Sequence, residues 1–256
     1  METIVKHTRE VGTSAGVLLP RKWLDKQVVV TLFSPSKEEI AKDIMGIIVN
    51  KGVNEDVKGI YLVGSYARED YTAESDIDVL IITEGTNKLI NYKNYEITLV
   101  SEQNLSKRLP NSLYYASMLN EAKIILNKCL FEKYSKNKRV LRTRKILDEI
   151  NGMIKINKEN VDFYKENNLN IPDGIIYSIV LRLRELFLIK CLISGKKYSR
   201  NDFVKITGEE IYSAYSRIKG DEREIDNSSP DKAMLLLILS EKWLKELKGL
   251  KKELKV

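Results

Sequence analysis

The chain has 256 residues, enough for one large core or two modest ones, and its 43% hydrophobic and 31% charged residues exclude a low-complexity or disordered chain. Lys and Arg outnumber Asp and Glu by 43 to 36, and the resulting +7 reads either as a preference for polyanionic partners or as plain Lys- and Glu-rich usage. The single histidine, His7, excludes Ser-His-Asp and Cys-His catalysis and most zinc sites, and the longest apolar run, residues 233–239, falls far short of a membrane span, so a cytoplasmic protein with carboxylate chemistry and no membrane partner is expected.

Residues 3–8, 16–19 and 28–33 read as short strands, separated by Gly12-Thr13-Ser14-Ala15-Gly16 and by Pro20-Arg21-Lys22-Trp23-Leu24. The order strand, Gly- and Ser-rich turn, strand, Pro-Arg-Lys, one helical turn, strand resembles the AbrB-like swapped hairpin. That resemblance covers only about the first 33 residues. It implies pairing of two copies into a homodimer, and DNA binding through residues 1–34.

Ser36, with Glu39 three residues on, forms a capping box for a helix in which Ile40, Ile44, Ile47 and Ile48 share one face and which Gly52 ends. An apolar strand over 58–63 follows, then a Gly64-Ser65 turn, a short helix near 66–70 and a second strand over 76–83. A turn-prone stretch, 84–94, leads to a third strand over 95–100. Beyond Asn104 the strand signals fade, and helices are expected at about 112–126, 136–166, 173–194 and 230–252. The last opens on Pro230 and carries Leu236, Leu239, Trp243, Leu247 and Leu250 along one stripe. Cys129 and Cys191 lie in apolar-rich segments without disulfide or metal-ligand spacing and are expected to be buried thiols.

The stretch from Leu62 to Ile82 carries the chemistry. A strand that ends on Gly64 lets backbone approach a ligand, and Ser65, opening a helix, offers N–H groups and a hydroxyl to phosphate. Asp76 and Asp78 stand two apart on a strand, so both carboxylates leave one face while Ile77, Val79 and Ile81 enter the core. Two such acids repel each other, and Mg²⁺ relieves this by taking a few carboxylates together with substrate phosphate oxygens. A phosphate cradle beside a metal-binding acid pair suits nucleotidyl transfer from an NTP, ATP by preference, without a covalent protein nucleophile.

These residues resemble the DNA polymerase beta-like nucleotidyltransferase superfamily, whose signature is Gly-Ser, a spacer, then Asp-hydrophobic-Asp. The small minimal nucleotidyltransferases, with Gly-Ser-x-Ala-Arg-Gly and Ser-Asp-hydrophobic-Asp, are the nearest pattern. Here the chain reads Gly64-Ser65-Tyr66-Ala67-Arg68-Glu69 and Ser75-Asp76-Ile77-Asp78, with Glu69 in place of the usual glycine. The resemblance spans roughly residues 36–130, including 120–126, which resembles the closing helix and strand of these domains. It implies a third acid on the next strand, for which Glu96 is the candidate although relatives favour Asp, and it leaves Arg68 either on phosphate or as a solvated helix residue. Glu69, Asp70 and Glu74 are expected to be exposed.

Seven basic residues between Lys133 and Lys145 read either as a solvated helix face or as a grip on a nucleic-acid backbone. Tyr212, Tyr215, Arg217 and Lys219 read either as ordinary packing and surface residues or as an acceptor or base pocket. The expected architecture is α+β: a small β unit over 1–34, a mixed-sheet nucleotidyltransferase domain over 35–130 and a helical domain over 131–256. The expected function is Mg²⁺-dependent transfer of an NMP to a hydroxyl on a protein, an RNA end or a small molecule. Catalysis and metal binding fall to Asp76, Asp78 and Glu96, and nucleotide binding to Gly64, Ser65 and Arg68. The alternative is a DNA-binding regulator in which the N-terminal unit acts and the transferase fold is a scaffold.

Overall fold

The computed structural model describes the chain except residues 1–3, 5, 7, 31–34, 73–74, 136–139, 251–253 and 256. It divides into two compact units, Met1–Ser36 and Lys37–Val256.

In the first unit, β1 (Arg9–Val11) and β2 (Ser14–Gly16) form an antiparallel hairpin around Gly12, and a single 3-10 turn covers Arg21–Trp23. The hairpin does not fall on the expected strands 3–8 and 16–19: residues 4, 6 and 8 are not strand, residues 3, 5 and 7 lie outside the described residues, and of 16–19 only Gly16 is strand. Residues 28–30 are not strand, and the rest of the expected strand 28–33, like His7, lies outside the described residues. None of this unit's described residues is fully buried, and Val29 and Val30 are 93% and 75% exposed.

The second unit opens with α1 (Lys37–Asn50), whose Ile40, Ile44, Ile47 and Ile48 are all buried, as their spacing predicts. Then come β3 (Val57–Leu62), α2 (Gly64–Arg68), β4 (Ile77–Thr83), β5 (Lys88–Tyr92) and β6 (Tyr95–Ser101). Helices α3 (Glu102–Arg108) and α4 (Leu113–Glu121) lead to β7 (Lys123–Leu126). The five strands β3 to β7 form one mixed sheet of order β5-β6-β4-β3-β7, in which only β4 and β6 run parallel. The central strands are apolar on both faces because both are covered. Ile77, Val79 and Ile81 of β4 pack toward α1, while Leu80 and Ile82 pack toward α3 and α4.

Beyond the sheet, α5 (Lys128–Ser135) precedes α6 (Thr143–Glu166), α7 (Asp173–Ile193), α8 (Arg200–Thr207), α9 (Glu209–Lys219) and α10 (Pro230–Lys248). Between α5 and α6, β8 (Val140–Leu141) pairs antiparallel with β9 (Leu254–Lys255) near the end of the chain. A single apolar core joins α6, α7, α9 and α10, and it includes Leu113 of α4, which ties the helical part to the sheet part. The architecture is therefore α+β as expected, with a mixed sheet followed by helices.

Several local expectations are corrected. The turn-prone stretch 84–94 contains a strand, β5, because Lys93 takes φ 52° in a two-residue turn that folds the chain back onto β6 with Tyr92 opposite Tyr95. The helix expected over 112–126 stops at Glu121, and its last residues pair with β3 instead. The helix expected over 136–166 begins only at Thr143, behind the unforeseen α5, and α8 and α9 were likewise not foreseen. Cys191 is buried but Cys129 is exposed, since the amphipathic α5 turns it to solvent. Among the described residues, no helix is long and apolar enough to cross a membrane.

Candidate functional site

Strand β3 brings the chain to Val63, whose N–H donates to the Asp78 carbonyl of β4 at 2.9 Å. Gly64 then takes φ 68°, the left-handed region that glycine enters without a steric penalty. Space dictates glycine as well, for a Cβ here would lie 1.9 Å from Asp78 Oδ2 and 2.7 Å from its Cγ. The carboxylate of Asp78 thus rests directly on the Gly64-Ser65 turn. Ser65 is half-buried there, and its carbonyl accepts the Asp70 N–H.

Opposite Asp78 in the parallel β4–β6 register stands Glu96. Parallel neighbours in register project to the same face, so the two acids sit side by side on the face that α4 covers. Asp76, just before β4, is exposed, whereas Asp78 and Glu96 are half-buried. Burial, followed by the negative charge of Glu96, pushes the Asp78 carboxyl up to about 6; the charge of Lys219 opposes the shift, and Asp76 and Glu121 add to it. The structure therefore brings Gly64, Ser65, Asp76, Asp78 and Glu96 together, with the ammonium of Lys219, at the end of α9, in electrostatic reach. Tyr114 of α4 borders the same acids: its hydroxyl lies 3.2 Å from that of Thr98, and burial with the charges of Glu96 and Asp78 raises its pKa.

Among the described residues, no group of three or more His, Cys, Asp or Glu side chains stands ready to hold a metal ion. The donor set still fits Mg²⁺, which needs only one or two carboxylates when phosphate and water complete its shell. Asp78 and Glu96, side by side in register, carry like charges that a divalent cation would offset.

Arg68 is placed differently from a solvated helix residue. Its Nη1 donates to Glu121 Oε2 at 2.7 Å, its Nε donates to Asp70 at 3.2 Å, and its side chain is only 11% exposed. The Tyr198 ring covers the guanidinium at 5.1 Å, with Arg184 at the same distance from that ring. Asp70, expected to be exposed, is drawn in because it also accepts the Arg200 N–H at 3.0 Å. Glu69 is exposed and pairs with Lys123, while Glu74 lies outside the described residues. Glu121 is the residue that sequence reasoning missed: it is buried and also accepts the Gly64 N–H at 2.9 Å. Burial raises its pKa, against the lowering effect of Arg68 and of the Gly64 N–H. Fifty-seven positions separate it from Gly64, and no local spacing signals the contact.

Of the other candidates, Tyr215 is buried and stacks on Tyr177 with centroids 5.2 Å apart, and Arg217 is bound to the buried Asp173 at 2.7 and 2.9 Å. Both therefore hold the helical core. Within the basic run, Lys133 pairs with Glu102 and Lys145 with Glu149, as a solvated face does, while Lys136, Lys138 and Arg139 lie outside the described residues.

Comparison with known proteins supplies the family. The model of the nucleotidyltransferase domain matches residues 47–185, more than half of the chain. A protein of Methanocaldococcus jannaschii that bears the name protein adenylyltransferase is 29% identical over 99 residues, which are 35% of this chain and 98% of that protein. Among solved structures, a spectinomycin adenyltransferase of Enterococcus faecialis, crystallised with ATP and spectinomycin, superposes with a TM-score of 0.42 at 15% identity over 81% of this chain and 99% of its own. With its Gly64-Ser65 turn, its acids on adjacent strands and a family match spanning both, this chain belongs to the nucleotidyltransferase domain family.

Proposed function

We propose that the chain transfers an adenylyl group from ATP to a hydroxyl of an acceptor, with the chemistry in residues 35–130 and acceptor capture in residues 131–256. The observation that carries this reading is the seat of the Asp78 carboxylate on the Gly64 turn with Glu96 in register beside it. Family membership supports the reaction class, and the name borne by the Methanocaldococcus jannaschii relative supports adenylyl as the group and a protein as the acceptor.

In this reading the Ser65 hydroxyl orients the triphosphate at the turn, and Lys219 faces it from the helical side. Asp76, Asp78 and Glu96 would hold Mg²⁺, which when bound neutralises phosphate charge and lowers the pKa of the acceptor hydroxyl. The acceptor oxygen forms a bond to the α-phosphorus as the bond to the β-phosphate oxygen breaks, and pyrophosphate leaves. Glu96 takes the acceptor proton. Arg68, which the motif alone leaves free for phosphate, braces the turn from behind through Glu121.

The test is incorporation of label from α-labelled ATP in the presence of Mg²⁺, with extract of the host cell as the acceptor pool. Wild-type chain labels an acceptor, and the combined Asp76→Asn and Asp78→Asn variant does not. Equal labelling by that variant sinks the proposal.

A further inference from the structure

We propose that Glu121 is a positioning residue for the nucleotide turn, and that Arg68 serves the site as the counter-ion of Glu121 rather than as a ligand of phosphate. The inference rests on the site reading just given and deepens it. Three observations carry it. First, Glu121 is 5% exposed and bridges the turn to the helix that follows it, accepting the Gly64 N–H at 2.9 Å and the Arg68 Nη1 at 2.7 Å. Second, the conformation so held is a demanding one: Gly64 stands at φ 68° with the Asp78 carboxylate where a Cβ would be. A carboxylate on the Gly64 N–H fixes the peptide plane on which the position of Asp78 depends.

Third, Arg68 is held on two sides. Asp70 takes its Nε, and the Tyr198 ring, itself flanked by Arg184, covers its plane. Turning its Nη1 from Glu121 to a phosphate would leave that buried carboxylate uncompensated, which is strongly unfavourable. Asp70 is in turn pinned by the Arg200 N–H, so the brace runs from the turn into the α7–α8 region. Glu121 acts on the reaction through Gly64 and touches no substrate.

The measurement is calorimetric affinity for a non-hydrolysable ATP analogue with Mg²⁺, alongside thermal melting, for wild type, Arg68→Met, Glu121→Gln, the two combined, and Asp78→Asn. Arg68→Met leaves a buried charge without a partner and is expected to weaken binding about tenfold. Glu121→Gln sets an amide against the guanidinium and also weakens it. The combined variant keeps an oxygen for the Gly64 N–H and removes the Glu121 charge, leaving Asp70 with its Arg200 N–H as the one former partner of Arg68, so its affinity returns to within about threefold of wild type. Arg68→Lys, which keeps one charged donor, falls between wild type and Arg68→Met and serves if the methionine variant does not fold.

An affinity of the combined variant as poor as that of Arg68→Met, with melting recovered, assigns Arg68 to phosphate and overturns the inference. Unchanged affinity in both single variants, with Asp78→Asn impaired, overturns it alone and leaves the site reading standing. Absence of binding by wild type removes both.

Discussion

Asp78 concentrates the competing demands of the site in one side chain. Strand alternation makes it point where Glu96 points, and the Gly64 turn closes over it, so its charge is both desolvated and opposed. In the metal-free protein its folded pKa of about 6 lies above the ordinary value of 3.8. The native state therefore binds the proton first as pH falls. The resulting stabilisation is full below about pH 4, fades as pH rises through 6 and is gone above that. Asp78→Asn is accordingly expected to stabilise the metal-free protein at pH 8, by on the order of 2 kcal/mol, with no gain at pH 4. Urea unfolding in a chelator at the two pH values measures this, and added Mg²⁺ should narrow the gap at pH 8 by binding only the native wild type.

At the scale of elements, helix α2 shows a family pattern and its departure in physical terms. The helix ends on Glu69 at φ 67° and ψ 25°, the left-handed position at which helices favour glycine, and it is here that the chain replaces the family's glycine. Its carboxylate pairs with Lys123 of β7, an exposed contact of small value. The two effects separate by comparing Glu69→Gly with Glu69→Ala, since both lose the ion pair and only glycine relieves the backbone. Glu69→Gly is expected to be the more stable by about 1 kcal/mol in chemical unfolding. Equal stabilities would show that the position carries no strain. The sheet elements were legible wherever a buried strand ran apolar, as in β3, β4 and β6. Edge strand β5 was not, because it buries only Ile90, and β7, with Ile124 and Leu126 exposed, showed no alternation of its own and was foreseen only through the family resemblance of 120–126.

For the whole molecule, the two units differ in what holds them. Lys37–Val256 has apolar cores on both faces of its sheet and among its helices, whereas Met1–Ser36 has no fully buried described residue. A stretch of 36 residues is below the size at which a chain ordinarily builds a sufficient core as an isolated monomer. The fragment 37–256 is therefore expected to unfold cooperatively in a thermal scan, and the dilute fragment 1–36 to show no transition; a cooperative melt of the short fragment would contradict this. Within the larger unit, the sequence by itself determined the family and the turn at Gly64-Ser65 beside Asp78, because Gly-Ser and Asp-x-Asp express themselves through local geometry: a turn, and side chains of alternate residues on one face. Only the tertiary structure decided the pairing of Arg68 with Glu121, the drawn-in place of Asp70 and the contact of Glu121 with Gly64. Those depend on Glu121 returning to Gly64 from 57 positions away and on α7 and α8 closing over Arg68, contacts that desolvation and charge pairing select and that no local spacing encodes.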